Sequence, residues 1–120
     1  MAEISEVNFS SFVSRLSPCA FACFKVLFEN ARGKIVKDGP QGTYEAPLDQ
    51  VLKEIGIEEV KTVAESIREI IQCKVDIKKD EFLYFYPFLT SVSIDAGVIK
   101  YGLHPDIEGV IPNITLPGNG

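Results

Sequence analysis

The chain is poor in the residues that build metal and catalytic sites. It has one histidine, His104, and three cysteines, Cys19, Cys23 and Cys73. A zinc site takes about four such ligands, so no metal is expected. An odd cysteine count, and an opening MAEISEVNFS that carries acids where a secretory leader carries bases, argue against a disulfide framework and make cytoplasmic residence the default. No apolar run approaches the roughly 20 residues of a membrane span, and no membrane partner is expected. Gly39, Gly42 and their neighbours follow no phosphate-loop or dinucleotide spacing. His104 and Asp106 flank Pro105 with no nucleophile in a familiar setting, and Cys19 and Cys23 lie in an apolar stretch that disfavours the thiolate. Neither enzymatic activity, a cofactor nor a small-molecule substrate is expected. Bases are scarce too: 12 against 17 acids, a net charge of −5. The chain as a whole repels nucleic acid, so any DNA contact has to come from a local patch.

What the chain does have is the composition of one folded domain: 120 residues, 46% hydrophobic and 24% charged. Phe9, Phe12, Val13 and Leu16 recur at helical spacing and predict a helical arm over residues 1–16. Ser17-Pro18 then reads as an N-cap and first helical position. The helix that follows carries Ala20, Phe21, Phe24, Leu27, Phe28 and Ala31 on one wide face, and Gly33 is the expected stop. GKIVKDGPQGTYEAP predicts a loop with a short extended piece at Thr43 to Ala46. Two amphipathic helices follow, PLDQVLKEIG and EEVKTVAESIREIIQ, joined so closely that they form a helix-turn-helix candidate.

After Gln72 the period falls to about two. CKVDIKK, a turn at Lys79-Asp80, the apolar run EFLYFYPFL, then SVSI, a turn at Asp95-Ala96-Gly97 and VIKYGL predict a meander of antiparallel strands. HPDIEGV predicts one helical turn capped by His104, and residues 113–120 a loose tail. EFLYFYPFL hardly alternates. If Leu83 and Phe85 pack on the core helix, the opposite face presents Phe82, Tyr84 and Tyr86. Pro87 cannot donate to a ladder, so Phe88 begins a new segment. Exposed aromatics of this kind mark a partner surface, and a homodimer through Phe82, Tyr84, Tyr86 and Phe88 is predicted. The alternative cover is the chain's own Phe9 and Phe12. For weak DNA backbone contacts the candidates are Lys34 and Lys37 after the core helix and Lys74, Lys78 and Lys79 on the presumed wing. The second helix of the helix-turn-helix exposes Glu58, Lys61, Thr62, Glu65, Arg68 and Glu69, four acids' worth of repulsion once Glu59 is counted.

Helix, short strand, helix, helix and strands, in that order, predict an α+β winged-helix domain over residues 17–112: a helix-turn-helix with a C-terminal antiparallel β-meander wing. The stretch FYPFLTSVSIDAGVIKYGLHPDIEGVIPN resembles the closing strands and short helix of the first winged-helix domain in plasmid replication initiator proteins, and LSPCAFACFKVLFENA and APLDQVLKEIGI resemble its opening helix and the helix before its turn. The resemblance spans Leu16 to Pro112 and rests mostly on hydrophobic patterning. It implies a domain that dimerises and touches DNA backbone in replication or its control. The other reading is a winged-helix transcriptional regulator that binds DNA by itself.

Overall fold

A computed structural model of the chain describes residues 4–56, 58–114 and 116. The elements run β1 (Ile4–Asn8), α1 (Phe9–Ser14), α2 (Pro18–Asp38), β2 (Thr43–Pro47), α3 (Leu48–Ile55), α4 (Val60–Gln72), β3 (Lys74–Lys79), β4 (Phe82–Pro87), β5 (Ser91–Asp95), β6 (Val98–Gly102) and α5 (Pro105–Val110), followed by a 3₁₀ turn over Ile111–Asn113. The architecture is α+β, with two three-stranded antiparallel sheets ordered β1-β3-β4 and β2-β6-β5.

α2 is the spine. Ser17 caps it, its Oγ accepting from the Ala20 N–H at 3.2 Å, and Pro18 opens it. Glu69 of α4 adds a second tie, accepting from the Ser17 N–H at 2.6 Å and from its hydroxyl at 2.8 Å. The helix does not stop at Gly33. It runs on to Asp38 and ends at Gly39, whose φ of 85° suits glycine and whose N–H reaches the Ile35 carbonyl at 2.8 Å. The reason is Ile35, which extends the buried Phe28 and Ala31 stripe by another turn. Burying that side chain, at about 1.5–3 kcal/mol, outweighs the roughly 1 kcal/mol cost of an interior glycine.

The N-terminal segment is not a helical arm. Ile4–Asn8 pairs antiparallel with β3, and α1 is one and a half turns capped by the Asn8 side chain. Phe9 and Phe12 pack with Phe24, Phe28 and Phe88, the ring centroids lying 4.7 to 6.4 Å apart. The segment is part of the core. In the predicted tail, Ile114 and Leu116 pack on the core, while Thr115 and residues 117–120 lie outside the described residues.

The strands after α4 do not form one meander either. β3–β4 and β5–β6 are separate hairpins: β1 completes the first sheet and β2 the second. The break follows from Pro87-Phe88-Leu89. Proline offers no donor to a ladder, and Phe88 and Leu89 turn inward to be buried. The β5–β6 turn is tight, with Ala96 and Gly97 both at positive φ (51° and 76°), as a two-residue hairpin loop requires.

Candidate functional site

α3 ends at Gly56, with φ 73° and ψ 30°, and α4 begins at Val60 after Glu59. The outer face of α4 holds Lys61, Glu65 and Arg68, exposed, beside Glu58 and Glu59. That face has more acids than bases and no built anion site. Two adjoining depressions of about 220 and 300 Å³ lie between α2 and α3, both lined by Val26, Glu29 and Glu54. They sit at or below the small end of ligand pockets, and no cysteine, serine or histidine lines them. Among the described residues no group of three His, Cys, Asp or Glu side chains is placed to hold a metal ion, and no helix is long and apolar enough to cross a membrane. Burial pushes the Cys23 thiol up to about 12, with Cys19 adding to the rise, so it is no nucleophile at neutral pH.

The β3–β4 hairpin is different. Directly opposite residues of an antiparallel pair share a face, and the register sets Val75 against Tyr86, Ile77 against Tyr84 and Lys79 against Phe82. Val75 and Ile77 are fully buried, so Phe82, Tyr84 and Tyr86 lie on the core side of the sheet. Leu83 and Phe85 lie on the other side, opposite Lys78 and Asp76. This reverses the face assignment predicted from the sequence, where Leu83 and Phe85 were expected against the core helix. Neither face of β4 is covered over most of its length: Phe82 is 66% exposed, Leu83 56%, Tyr84 40% and Phe85 61%. At about 200 Å² for a fully exposed large apolar side chain, these four together expose roughly 450 Å², divided between the two faces of the hairpin. Phe9 and Phe12 are in the core and do not cover them. Phe88, predicted as a fourth interface residue, is fully buried among the phenylalanines, because the bend at Pro87 turns it inward.

The proximal end of the strand is anchored. The Tyr86 hydroxyl donates to Asp106 Oδ2 at 2.8 Å, and Lys79 pairs with the same oxygen. The Tyr86 ring lies 4.3 Å from the His104 ring and 6.1 Å from Tyr84, with the Lys79 ammonium 5.2 Å from the Tyr84 ring centre. His104 Nδ1 caps α5 by accepting the Asp106 N–H at 3.0 Å, the capping role predicted for it. Burial alone pushes the Asp106 carboxyl up, but hydrogen bonds from Lys79 and Tyr86 and the Lys79 charge outweigh it and hold the pKa below the usual carboxylate value. The same contacts raise Lys79 and Tyr86, Asp106 being the main cause for both.

Two residues further along α5, Glu108 is buried. It accepts the Gln41 and Gly42 N–H groups at 3.1 and 2.7 Å and the Tyr44 hydroxyl. Tyr44 is pushed up to about 12, by burial first and then by that bond. α5 therefore holds both sheets, the first through Asp106 and the second through Glu108. Sequence reasoning placed Asp106 at a helix start but missed both partnerships. An acid beside Ile107 is the only local hint of Glu108.

Some of the basic residues predicted to touch nucleic acid are engaged within the chain. Lys34 donates to the Glu45 carbonyl at 2.9 Å, and Lys79 is held by Asp106. Lys37 is exposed in the last turn of α2, and Lys74 and Lys78 are exposed on the outer face of the hairpin. The five do not form one patch, being divided between two elements and, on the hairpin, between two faces. No family model matches this chain, and neither a curated protein nor a solved structure does.

Proposed function

We propose that this is a non-enzymatic, winged-helix-like interaction domain that self-associates through β4 and works in DNA replication or its control. The observation that carries the self-association is the exposure of Phe82, Leu83, Tyr84 and Phe85 on both faces of one strand whose outer edge is unpaired among the described residues. An edge of that kind recruits another chain unless charges or proline guard it, and none of these four residues is charged. Support for the winged-helix reading is the succession α2, β2, α3, α4, β5, β6 with β2 beside β6. The β3–β4 hairpin and β1 are then an addition to that plan. The replication context rests on the resemblance of the Leu16 to Pro112 segment to the first domain of plasmid initiators. Light scattering tests the self-association: a dimer is expected for the wild-type chain and a monomer for Tyr84→Asp. A wild-type monomer at high concentration rejects it.

One observation favours the second reading, a DNA-binding regulator: Lys74 and Lys78 share the outer face of the hairpin. Gel-shift titration would then show binding that falls steeply with salt and weakens in Lys78→Glu. Absence of binding at every salt concentration sinks it.

A further inference from the structure

His104 is the chain's one histidine, the type of side chain whose charge ordinarily changes between about pH 5 and 8. It stands where α5 meets the β3–β4 hairpin, and its side chain is 37% exposed, so solvent protons reach it. Its Nδ1 accepts the Asp106 N–H at 3.0 Å, which requires the neutral ring to carry its hydrogen on Nε2. Three groups face it. They are the Asp106 carboxylate on α5, whose Oδ2 is 3.8 Å from Nδ1, the Tyr86 ring on β4 at 4.3 Å, and Lys79 on β3, which pairs with that same Oδ2. Glu108, further along α5, is engaged elsewhere, by the Gln41 and Gly42 N–H groups and the Tyr44 hydroxyl.

We propose that His104 is a pH-sensitive latch: a proton taken up at Nδ1 moves the ring from the backbone of α5 to the Asp106 carboxylate and releases Lys79 from it. This goes beyond the self-association reading and does not depend on it. The proton comes from solvent, and the N–H bond is the one covalent bond formed. Once Nδ1 carries a hydrogen it meets the Asp106 N–H donor to donor, and the cap is lost. Oδ2, 3.8 Å away, is then the acceptor within reach of a small ring rotation. The helix itself survives, since the Ile107 and Glu108 N–H groups bond the His104 carbonyl at 2.9 and 3.0 Å.

What changes is the balance of charge at one carboxylate. With neutral His104, Asp106 holds the Lys79 cation and the Tyr86 hydroxyl. With protonated His104, two cations contend for it and repel each other. The imidazolium keeps the Tyr86 ring beside it, which attracts a cation at that distance, whereas the ammonium of Lys79 sits on a long, flexible stem and is strongly hydrated. Lys79 is therefore the group released, and with it the end of β3 next to the turn at Asp80-Glu81. The hairpin that exposes Phe82, Tyr84 and Phe85 is then held more loosely in acid than at neutral pH.

Nuclear magnetic resonance of the intact chain from about pH 8 to 5, at one fixed concentration, tests this. The His104 ring nitrogens give the midpoint and the site of protonation. Through that midpoint the Asp106 amide signal is expected to shift as its acceptor is lost. Amide exchange protection from Lys79 to Tyr86, corrected for the intrinsic effect of pH, is expected to fall about threefold. His104→Asn keeps an oxygen that can cap and does not titrate, and is expected to hold both readouts constant. Asp106→Asn is expected to retain the loss of the cap and abolish the response of the hairpin. A hairpin response that persists in His104→Asn, an Asp106 amide indifferent to the titration, or a lost cap with no change from Lys79 to Tyr86 overturns the latch.

Discussion

Two aromatic groups of similar make-up occupy opposite ends of this molecule's energy scale. Phe9, Phe12, Phe24, Phe28 and Phe88 are at most 4% exposed and pack together in edge-on, tilted and stacked pairs. Phe82, Tyr84 and Phe85 come from the same run of sequence as Phe88, only three to six positions away, yet are 40% to 66% exposed. Side-chain chemistry does not separate the groups. Position does: α1, α2 and the bend at Pro87 bring the first group into one cluster, whereas Phe82, Tyr84 and Phe85 of β4 lie outside it. Apolar area is worth about 25 cal/mol per Å² only once water is removed from it. The first group therefore holds the fold together, and the second leaves its apolar area in contact with water.

That comparison is sharpened most strongly at Phe88. Phe88→Ala opens a cavity among close-packed rings and is expected to lower unfolding stability by about 3–5 kcal/mol in denaturant titrations. Phe85→Ala is expected to change the monomer by no more than about 0.5 kcal/mol. Equal losses would break the distinction.

A smaller effect is expected where α5 meets the second sheet. Glu108→Ala leaves the Gln41 and Gly42 N–H groups and the Tyr44 hydroxyl without their buried acceptor, a loss of about 2–3 kcal/mol. Amide exchange should report it as faster opening around residues 41–44 than in the wild type.

The smallest change concerns the anchor of the hairpin. The folded-state pKa of Asp106 is lowered, so its contribution is present above the unfolded value of about 3.9 and is lost as pH falls through the lower, folded value. Asp106→Asn removes that dependence. Below about pH 4 the stabilities of wild type and variant should converge, and at neutral pH the wild type should be the more stable. A constant gap from neutral pH to well below pH 4 would show that Lys79 and Tyr86 do not depend on the carboxylate charge.

Local sequence carried the helices well, because a helix face repeats every 3.6 residues and is written within one segment. The Ser17 and His104 caps, the turn at Asp95-Ala96-Gly97, the Thr43 to Ala46 strand, the face of α3 and most of the face of α4 were legible from neighbours in the chain, although Val60 and Ile71 at the ends of α4 stay exposed. The strand at Ile4–Asn8 was not. ISEVN has no clear period, and it is a strand because β3 offers it a free edge. The candidate site was half legible: the unusual exposure of Phe82, Tyr84 and their neighbours was readable in a run without polar alternation, but which side of the sheet each residue takes was not.

By itself, the order of residues determined where apolar surface would concentrate and where helices would begin, since propensity, capping and periodicity act over a few positions. Tertiary structure alone decided which strands pair, that α2 passes Gly33 to bury Ile35, that Phe88 turns inward while Phe85 stays in water, and that Asp106 and Glu108 each hold a different sheet. Those outcomes depend on contacts between segments tens of residues apart. Their free energy comes from excluding water between surfaces that no local window of sequence contains.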